Sequence, residues 1–138
     1  VPSWSPLAVE SPMRTPVKTH LPGDEAPIEW AVTADGVLYT AHIPMRADGS
    51  IETGPIEQQA EVTFDNLKRT LEAAGGTLDD VTQVLIYLTD PAAFQGMNAV
   101  YRRFFAKPFP NRATVVVAGL MVPGALIEIV AYAHLGRG

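Results

Sequence analysis

Two runs of β-branched residues near the C-terminus, each carrying one charge, constrain the fold of this chain most. The first run follows Pro110-Asn111 and begins at Arg112, and the second is apolar except for Glu128. β-branched runs favour strands. Burying either charge unpaired would cost roughly several kcal/mol. Two charges at strand positions therefore indicate either a polar pocket built on a rigid sheet or a structural ion pair between strands.

The apolar periodicity predicts strands and helices in the order ββ-α-β-α-ββ. Apolar residues at steps of three and four predict a helix over residues 55–74, which Gly75-Gly76 ends. Asp90-Pro91 opens a second predicted helix that runs to about residue 106. Strands are predicted at residues 28–33, 37–43, 81–89, 113–118 and 126–134. This order predicts an α+β fold in which a mixed β-sheet carries two helices on one face.

The second face of that sheet is also expected to be covered. The segments 81–89 and 113–118 are apolar on both sides of their alternation, which is typical of strands buried on both faces. No further predicted element is left to cover the second face. The sequence therefore predicts self-association.

Residues 1–27 differ in composition from the rest of the chain. Six of the twelve prolines lie there, so the segment cannot form a helix or a central strand. We expect a proline-rich N-terminal arm at 1–27, lying on its own domain or on a neighbouring subunit, and a single domain at 28–136. Trp4, Leu7 and Met13 are the expected anchors of the arm.

Composition excludes several classes of protein. The chain of 138 residues has no cysteine, which rules out disulfides, thiolate nucleophiles and cysteine-based metal sites. A net charge of −5 argues against nucleic acid or anionic membranes as partners. No apolar run approaches the roughly 20 residues of a membrane span, and no basic, apolar leader is apparent. The expected location is cytoplasmic.

The polar inventory narrows the chemistry further. All four serines fall in the arm or in a turn, which argues against a serine hydrolase: Ser3, Ser5, Ser11 and Ser50. The three histidines lack metal-binding spacing, so no metal site is expected: His20, His42 and His134. Arg112, Glu128, hydroxyls and backbone amides remain. They suit binding of a small carboxylate and direction of a water, without metal or organic cofactor.

Several segments together resemble the RidA/YjgF family of enamine/imine deaminases. They are Glu57-Gln58-Gln59-Ala60, Leu71 to Val81, Asn98-Ala99-Val100-Tyr101, Pro110-Asn111-Arg112 and Ile127-Glu128-Ile129, and the match extends over residues 28–136. The resemblance implies a chorismate-mutase-like (YjgF-like) fold and a homotrimer with sites at the subunit clefts. It also implies hydrolysis of 2-aminoacrylate-type enamines, through their imine tautomers, to a 2-oxo acid and ammonia.

By position, the resemblance assigns roles to individual residues of this chain. Arg112 matches the carboxylate-binding arginine of the family, and Glu128 matches its water-orienting acid. Asn98 matches the asparagine of an Asn-x-x-Tyr signature, and Thr40 falls where the family has a pocket serine. Ile28 stands where active deaminases often carry a tyrosine. The resemblance thus implies a catalytic pair, Arg112 and Glu128, and substrate contacts from Arg112, Thr40, Asn98 and Ile28.

Departures from the family pattern indicate a divergent subgroup and leave alternatives open. Ala41-His42 replaces the usual Gly-Gln, and Asn111 replaces a small residue before Arg112. The substrate is either a 2-aminoacrylate-type or a 2-aminomuconate-type enamine. A second possible function is non-catalytic binding of small carboxylates, which the replacement of the family tyrosine by Ile28 favours. RNA cleavage is a third, and the acidic balance argues against it.

Overall fold

Six strands and two helices form the part of the chain that the computed structural model describes, residues 13–23 and 25–136. The elements are β1 (Thr15–Pro16), β2 (Ala31–Ala34), β3 (Val37–His42), α1 (Ile56–Ala73), β4 (Val81–Leu88), α2 (Phe94–Phe104), β5 (Asn111–Val116) and β6 (Ile127–His134). The strands lie in one sheet in the order β1-β2-β3-β6-β4-β5. β4 and β5 are parallel, and the other neighbours are antiparallel. The predicted α+β fold with a mixed sheet is confirmed, with β1 as an additional edge strand.

Local sequence explains where the elements begin and end. Asp35 (φ 50°) and Gly36 (φ 78°) form the two-residue turn between β2 and β3, as in hairpins with positive φ at both central positions. Gly75, with φ 86°, ends α1. The Asp90 carboxylate accepts a hydrogen bond of 2.8 Å from the Ala92 amide and caps the turn before α2. α2 carries the chain across the sheet, which allows β5 to lie parallel to β4.

The predicted boundaries were wrong by two or three residues at three elements, one of which is β5, Asn111–Val116 rather than residues 113–118. The first long strand begins at Ala31 rather than Ile28, because a turn in which the Ile28 amide donates to the Ala26 carbonyl precedes it. The second helix ends at Phe104 rather than residue 106, because Phe105 is already extended with φ −119°. Its first turn, Pro91–Ala93, is a 3₁₀ helix. Boundaries are the least certain part of sequence-based assignment.

The described end of the proline-rich segment lies along the sheet. Thr15 and Pro16 pair with Thr33 and Val32, and the Val17 amide donates to the Ala31 carbonyl. Proline is tolerated there because β1 is an edge strand. Met13 is 74% exposed and is not an anchor within this chain. The other expected anchors, Trp4 and Leu7, lie outside the described residues, and the boundary at residue 28 stays a prediction.

The hydrophobic core lies between α1, α2 and one face of the sheet. Its largest members are almost completely buried: Leu38, Phe64, Leu67, Leu71, Ile86, Met97, Ile127 and Ile129. Phe64 of α1 lies within 5.6 to 6.3 Å, between ring centroids, of Tyr101, Phe104 and Phe105. This aromatic contact joins the two helices and fixes the position of α2 over β5.

The opposite face of the sheet is uncovered within the described residues. Alternate strand positions place a row of half-exposed side chains there: Tyr39, Leu85, Tyr87, Val115, Val130 and Tyr132. Tyr39 and Val115 are 42% and 46% exposed. In this part of the chain no helix is long and apolar enough to cross a membrane. Self-association over the apolar face stays a prediction.

A buried glutamine joins α1 to the loops around it. The Gln59 side-chain amide donates to the Gly54 and Gly124 carbonyls at 3.1 and 2.9 Å. Its carbonyl accepts from the Leu126 amide at 2.8 Å. Gln59 has no exposed surface, so these bonds satisfy both halves of a buried amide.

Gln59→Ala should destabilise the protein by about 2–4 kcal/mol, because it leaves buried backbone groups unpaired as well as a cavity. The free energy of unfolding from urea titration measures the effect. Gln58→Ala, on the exposed side of the same helix turn, should change that free energy by less than about 0.5 kcal/mol. Equal effects of the two substitutions would contradict the role of Gln59.

Candidate functional site

Arg112 lies near the start of β5 and faces α2. Strand alternation decides this orientation, because Arg112 pairs in register with Val84, whose side chain is buried beneath the helices. Arg112 Nη1 donates a hydrogen bond of 2.7 Å to Asn98 Oδ1. The arginine and the asparagine, both partly buried, therefore meet at the junction of the sheet and α2.

Aromatic rings surround the guanidinium. Its Cζ atom lies over the ring of Tyr101, 4.5 Å from the ring centroid, and 5.8 Å from the centroid of Phe94. The ring of Phe105 stacks on Tyr101 with centroids 4.6 Å apart and planes 28° apart. Burial raises the pKa of Tyr101, so its phenol stays neutral and its ring face attracts the cation.

An open cleft of about 240 Å³ adjoins this arginine. It is lined by Asn98, Tyr101, Arg102, Phe109, Pro110 and Arg112. The lining combines apolar surface with a few polar groups, as binding sites for small molecules usually do. A planar cation on its wall suits a carboxylate ligand.

Arg112 has no ion-pair partner among the described residues. The ion pairs in this part of the chain are Arg46–Glu52 and Arg103–Glu61. An inter-strand pair of Arg112 with Glu128, the simplest structural interpretation of the sequence, is therefore wrong within one chain. The charge of Arg112 is held by an amide and aromatic rings and remains open to an anion.

Glu128 lies on the other face of the sheet from Arg112. It pairs in register with Tyr87, which in turn pairs with Val115 on the uncovered face. Burial raises the pKa of Glu128 above that of an exposed glutamate. A partly desolvated carboxylate of this kind can accept or release a proton nearer neutral pH than usual.

Thr40 is buried beside His42 and away from the cleft. Its hydroxyl donates to the Trp30 carbonyl at 2.6 Å. It can therefore only accept from His42 Nε2, 2.9 Å away, which fixes the proton of the imidazole on Nε2. His42 Nδ1 is left without a partner in the described chain. The His42 ring lies parallel to the Trp30 ring, with the two ring centroids 6.2 Å apart.

Sheet register sets the distance from Thr40 to Arg112. Thr40 pairs with Ala131, Ala131 with Val84 and Val84 with Arg112, so the two residues are three strand spacings apart. At about 4.8 Å a spacing, the backbones are about 14 Å apart. One small substrate cannot touch both residues of the same chain.

Ile28 is farther from the arginine still. It lies in the loop before β2, four strand positions from β5 in the sheet, and is 54% exposed. Of the five candidate site residues, one chain therefore brings together Arg112 and Asn98. Glu128, Thr40 and Ile28 of the same chain lie away from the cleft at Arg112.

The contact of Tyr101 with Arg112 was not predicted from the sequence, where Tyr101 enters only as part of the Asn-x-x-Tyr signature. A signal was present. Phe94, Asn98 and Tyr101 follow at steps of four and three, so they lie on one face of α2. An asparagine between two aromatic residues on a helix face is unusual for a core position and indicates a polar group opposite.

Comparison with known proteins agrees with this architecture. A family model described as endoribonuclease L-PSP matches residues 19–135, which is most of the chain. The chain belongs to the YjgF/RidA family. The match begins nine residues before Ile28 and includes the segment whose Leu21 is buried and whose His20 Nε2 lies 2.9 Å from Asn66 Oδ1.

Solved structures of YjgF/RidA relatives share the fold. A putative endoribonuclease from Thermotoga maritima is 35% identical with a TM-score of 0.84, over 91% of this chain and 100% of that one. RidA from an Antarctic Psychrobacter is 31% identical with a TM-score of 0.81, over 88% and 99%. Escherichia coli TdcF with bound serine is 29% identical with a TM-score of 0.80, over 87% and 98%. These likenesses confirm the predicted YjgF-like fold.

Acid should destabilise this family member partly through His42. Burial, and secondarily the neighbouring His20, lower the pKa of His42 from 6.5 to about 3. Between these values the unfolded chain binds a proton that the folded chain does not. The contribution of neutral His42 to the free energy of unfolding is therefore fully present above pH 6.5. It is lost as the pH falls below 6.5, by about 1.4 kcal/mol per pH unit.

Urea unfolding at several pH values measures this dependence. His42→Gln should flatten it below pH 6.5, and His134→Gln, which removes an exposed histidine, controls for the loss of one imidazole. If the free energy of unfolding of His42→Gln depended on pH as that of the wild-type protein does, the conclusion that His42 is neutral in the folded protein would be wrong.

Proposed function

We propose that this protein is a hydrolytic deaminase of small enamine/imine carboxylates, which converts 2-aminoacrylate-type compounds to a 2-oxo acid and ammonia. One observation carries the proposal. Arg112 lies on the wall of a cleft of about 240 Å³ with no carboxylate partner among the described residues. A partly buried cation is costly unless something pairs with it, and a substrate carboxylate is the simplest partner.

The proposed site is completed by a neighbouring subunit of a homotrimer. Arg112 and Glu128 face opposite sides of one sheet, so one chain cannot direct both at one small molecule. Packing of uncovered sheet faces would bury the apolar row that includes Tyr39 and Val115. Because β5 is an edge strand of the sheet, we expect this interface to run along it and to bring Glu128 of one subunit toward Arg112 of the next. Thr40 and Ile28 can contribute to that site only from a neighbouring subunit.

The proposed reaction needs little beyond positioning. Arg112 holds the substrate carboxylate through parallel N–H···O bonds and fixes the plane of the imine. Glu128 accepts a proton from a water, which attacks the imine carbon and gives a carbinolamine. Glu128 gives this proton to the nitrogen of the carbinolamine. The hydroxyl proton then follows through Glu128 to the same nitrogen, and the C–N bond breaks to release ammonia and the 2-oxo acid. Orientation alone contributes several kcal/mol, roughly, and no metal or organic cofactor enters the proposal.

Relatives support binding of a small carboxylate more than they support one chemistry. TdcF was solved with serine, which carries a carboxylate, and other relatives are named endoribonucleases. Net charge of −5 disfavours an RNA substrate. A ribonuclease assay with Arg112→Ala as a control tests that alternative. Ammonia release from freshly generated 2-aminoacrylate distinguishes a deaminase from a non-catalytic carboxylate binder, and the same assay with 2-aminomuconate tests the alternative substrate.

Arg112→Lys should lower kcat/KM by a factor that corresponds to about 2–4 kcal/mol of lost transition-state stabilisation. Lysine keeps the charge but loses the planar pair of donors. Arg112→Ala should remove measurable acceleration over the spontaneous reaction. Arg103→Lys is the matched control, since Arg103 forms an exposed ion pair with Glu61 at 3.4 Å and such pairs contribute little. Wild-type activity in Arg112→Ala would refute the site.

Glu128→Gln should lower kcat while leaving affinity for a 2-oxo acid largely unchanged, because glutamine hydrogen-bonds but cannot take a proton. Burial raises the pKa of Glu128. The wild-type rate should therefore rise with pH through a midpoint above the ordinary glutamate range, and Glu128→Gln should lose this limb. A pH–rate profile shared by both proteins would remove Glu128 from the mechanism.

The protein should assemble as a trimer of 14.8 kDa chains, measured by light scattering at micromolar concentration. Val115→Asp places an unpaired charge in the uncovered apolar face, so it should lower both the mass and the deaminase activity. Met121→Asp, at a residue 93% exposed in a loop, is the control. A monomeric wild-type protein with full activity would contradict a site shared between subunits.

A further inference from the structure

An arginine can present different edges of its guanidinium to a carboxylate, and the edge decides the direction from which the ligand binds. The Nε and Nη2 atoms form one edge, and the two Nη atoms form another. A long side chain that samples all of these geometries loses entropy when it binds. The contacts of Arg112 reduce this freedom before any ligand is present.

Tyr101 restricts the position of the guanidinium. The guanidinium carbon lies over its ring at 4.5 Å from the centroid. Tyr101 itself cannot tilt freely, because Phe105 stacks on it and Phe64 meets it with planes 76° apart. The Tyr101 hydroxyl has no hydrogen-bond partner among the described residues and almost no exposed surface. The ring rather than the hydroxyl is therefore the part that acts on Arg112.

Asn98 restricts the rotation of the guanidinium. Its Oδ1 atom occupies Nη1 at 2.7 Å, whereas Nε and Nη2 make no hydrogen bond within the described chain. Both N–H groups of the Nε–Nη2 edge are therefore free, whereas Nη1 is already engaged by Asn98. Because the amide is neutral, it orients the guanidinium and leaves its charge in place. A carboxylate at the same position would neutralise that charge.

We propose that Tyr101 and Asn98 are positioning residues, which hold Arg112 so that its Nε–Nη2 edge receives the substrate carboxylate. The inference rests on the proposed function of Arg112. It assigns Asn98 a contact with the arginine instead of the substrate contact that the family resemblance implies.

Calorimetric binding of pyruvate, a product-like 2-oxo acid, and deaminase kinetics test the proposal together. Tyr101→Leu should raise the Kd for pyruvate and the KM about tenfold, with a smaller change in kcat. The substitution removes the aromatic ring that supports the guanidinium but removes no catalytic group. Tyr101→Phe keeps the ring and should restore both constants to within about twofold of wild type. A requirement for the hydroxyl would instead make the two substitutions equally harmful.

Asn98→Asp is the sharper substitution, because it has nearly the same shape and retains an acceptor for Nη1. Its charge should pair with Arg112 and raise the Kd for pyruvate at least tenfold, roughly, whereas Asn98→Ala should raise it less. In an Arg112→Lys background, Asn98→Ala should have an effect below about twofold, since an ammonium has no edge to orient.

Failure of this inference and failure of the proposed function are distinguishable. If Arg112→Ala binds pyruvate as wild type does, the proposed function fails. If binding requires Arg112 but Asn98→Asp and Tyr101→Leu bind normally, only the positioning role is overturned. Thermal unfolding checks each variant. Asn98 is only partly buried, so its variants decide the matter if Tyr101→Leu does not fold.

Discussion

Burial of one sheet face beneath two helices is the constraint on which the rest of the structure depends. Phe64 on α1 meets the aromatic residues of α2, and this contact holds α2 over β5. Because strand side chains alternate between faces, every polar residue on β5 and β6 is then assigned to the helix side or the open side. Arg112 falls on the first and Glu128 on the second.

This division explains why the arginine can be both partly buried and without an ion-pair partner among the described residues. On the helix side, Arg112 meets a ring face and an amide, which stabilise a cation without neutralising it. The candidate acid remains on the open side, where burial already raises its pKa. The proposed ligand site, divided between subunits, would cover the apolar open face and these unpaired charges together.

The departure from the family pattern at His42 belongs to the structural framework rather than to the cleft. His42 is neutral, hydrogen-bonded to Thr40 and stacked on Trp30. Trp30 in turn donates from Nε1 to the Pro22 carbonyl. The imidazole therefore helps to hold the segment before β2 against β3. The departure therefore concerns the attachment of that segment, on a strand three spacings away from Arg112.

The sequence by itself determined the order of elements, because the periods of 2 and 3.6 residues are local properties and Gly36, Gly75 and Asp90 mark their ends. It also indicated that Arg112 and Glu128 are polar exceptions on strands. Only the tertiary structure decided that they face apart and that Tyr101 supports the arginine. Both depend on which strands become neighbours and on the register between them, and pairing between distant segments leaves no local signal in the chain.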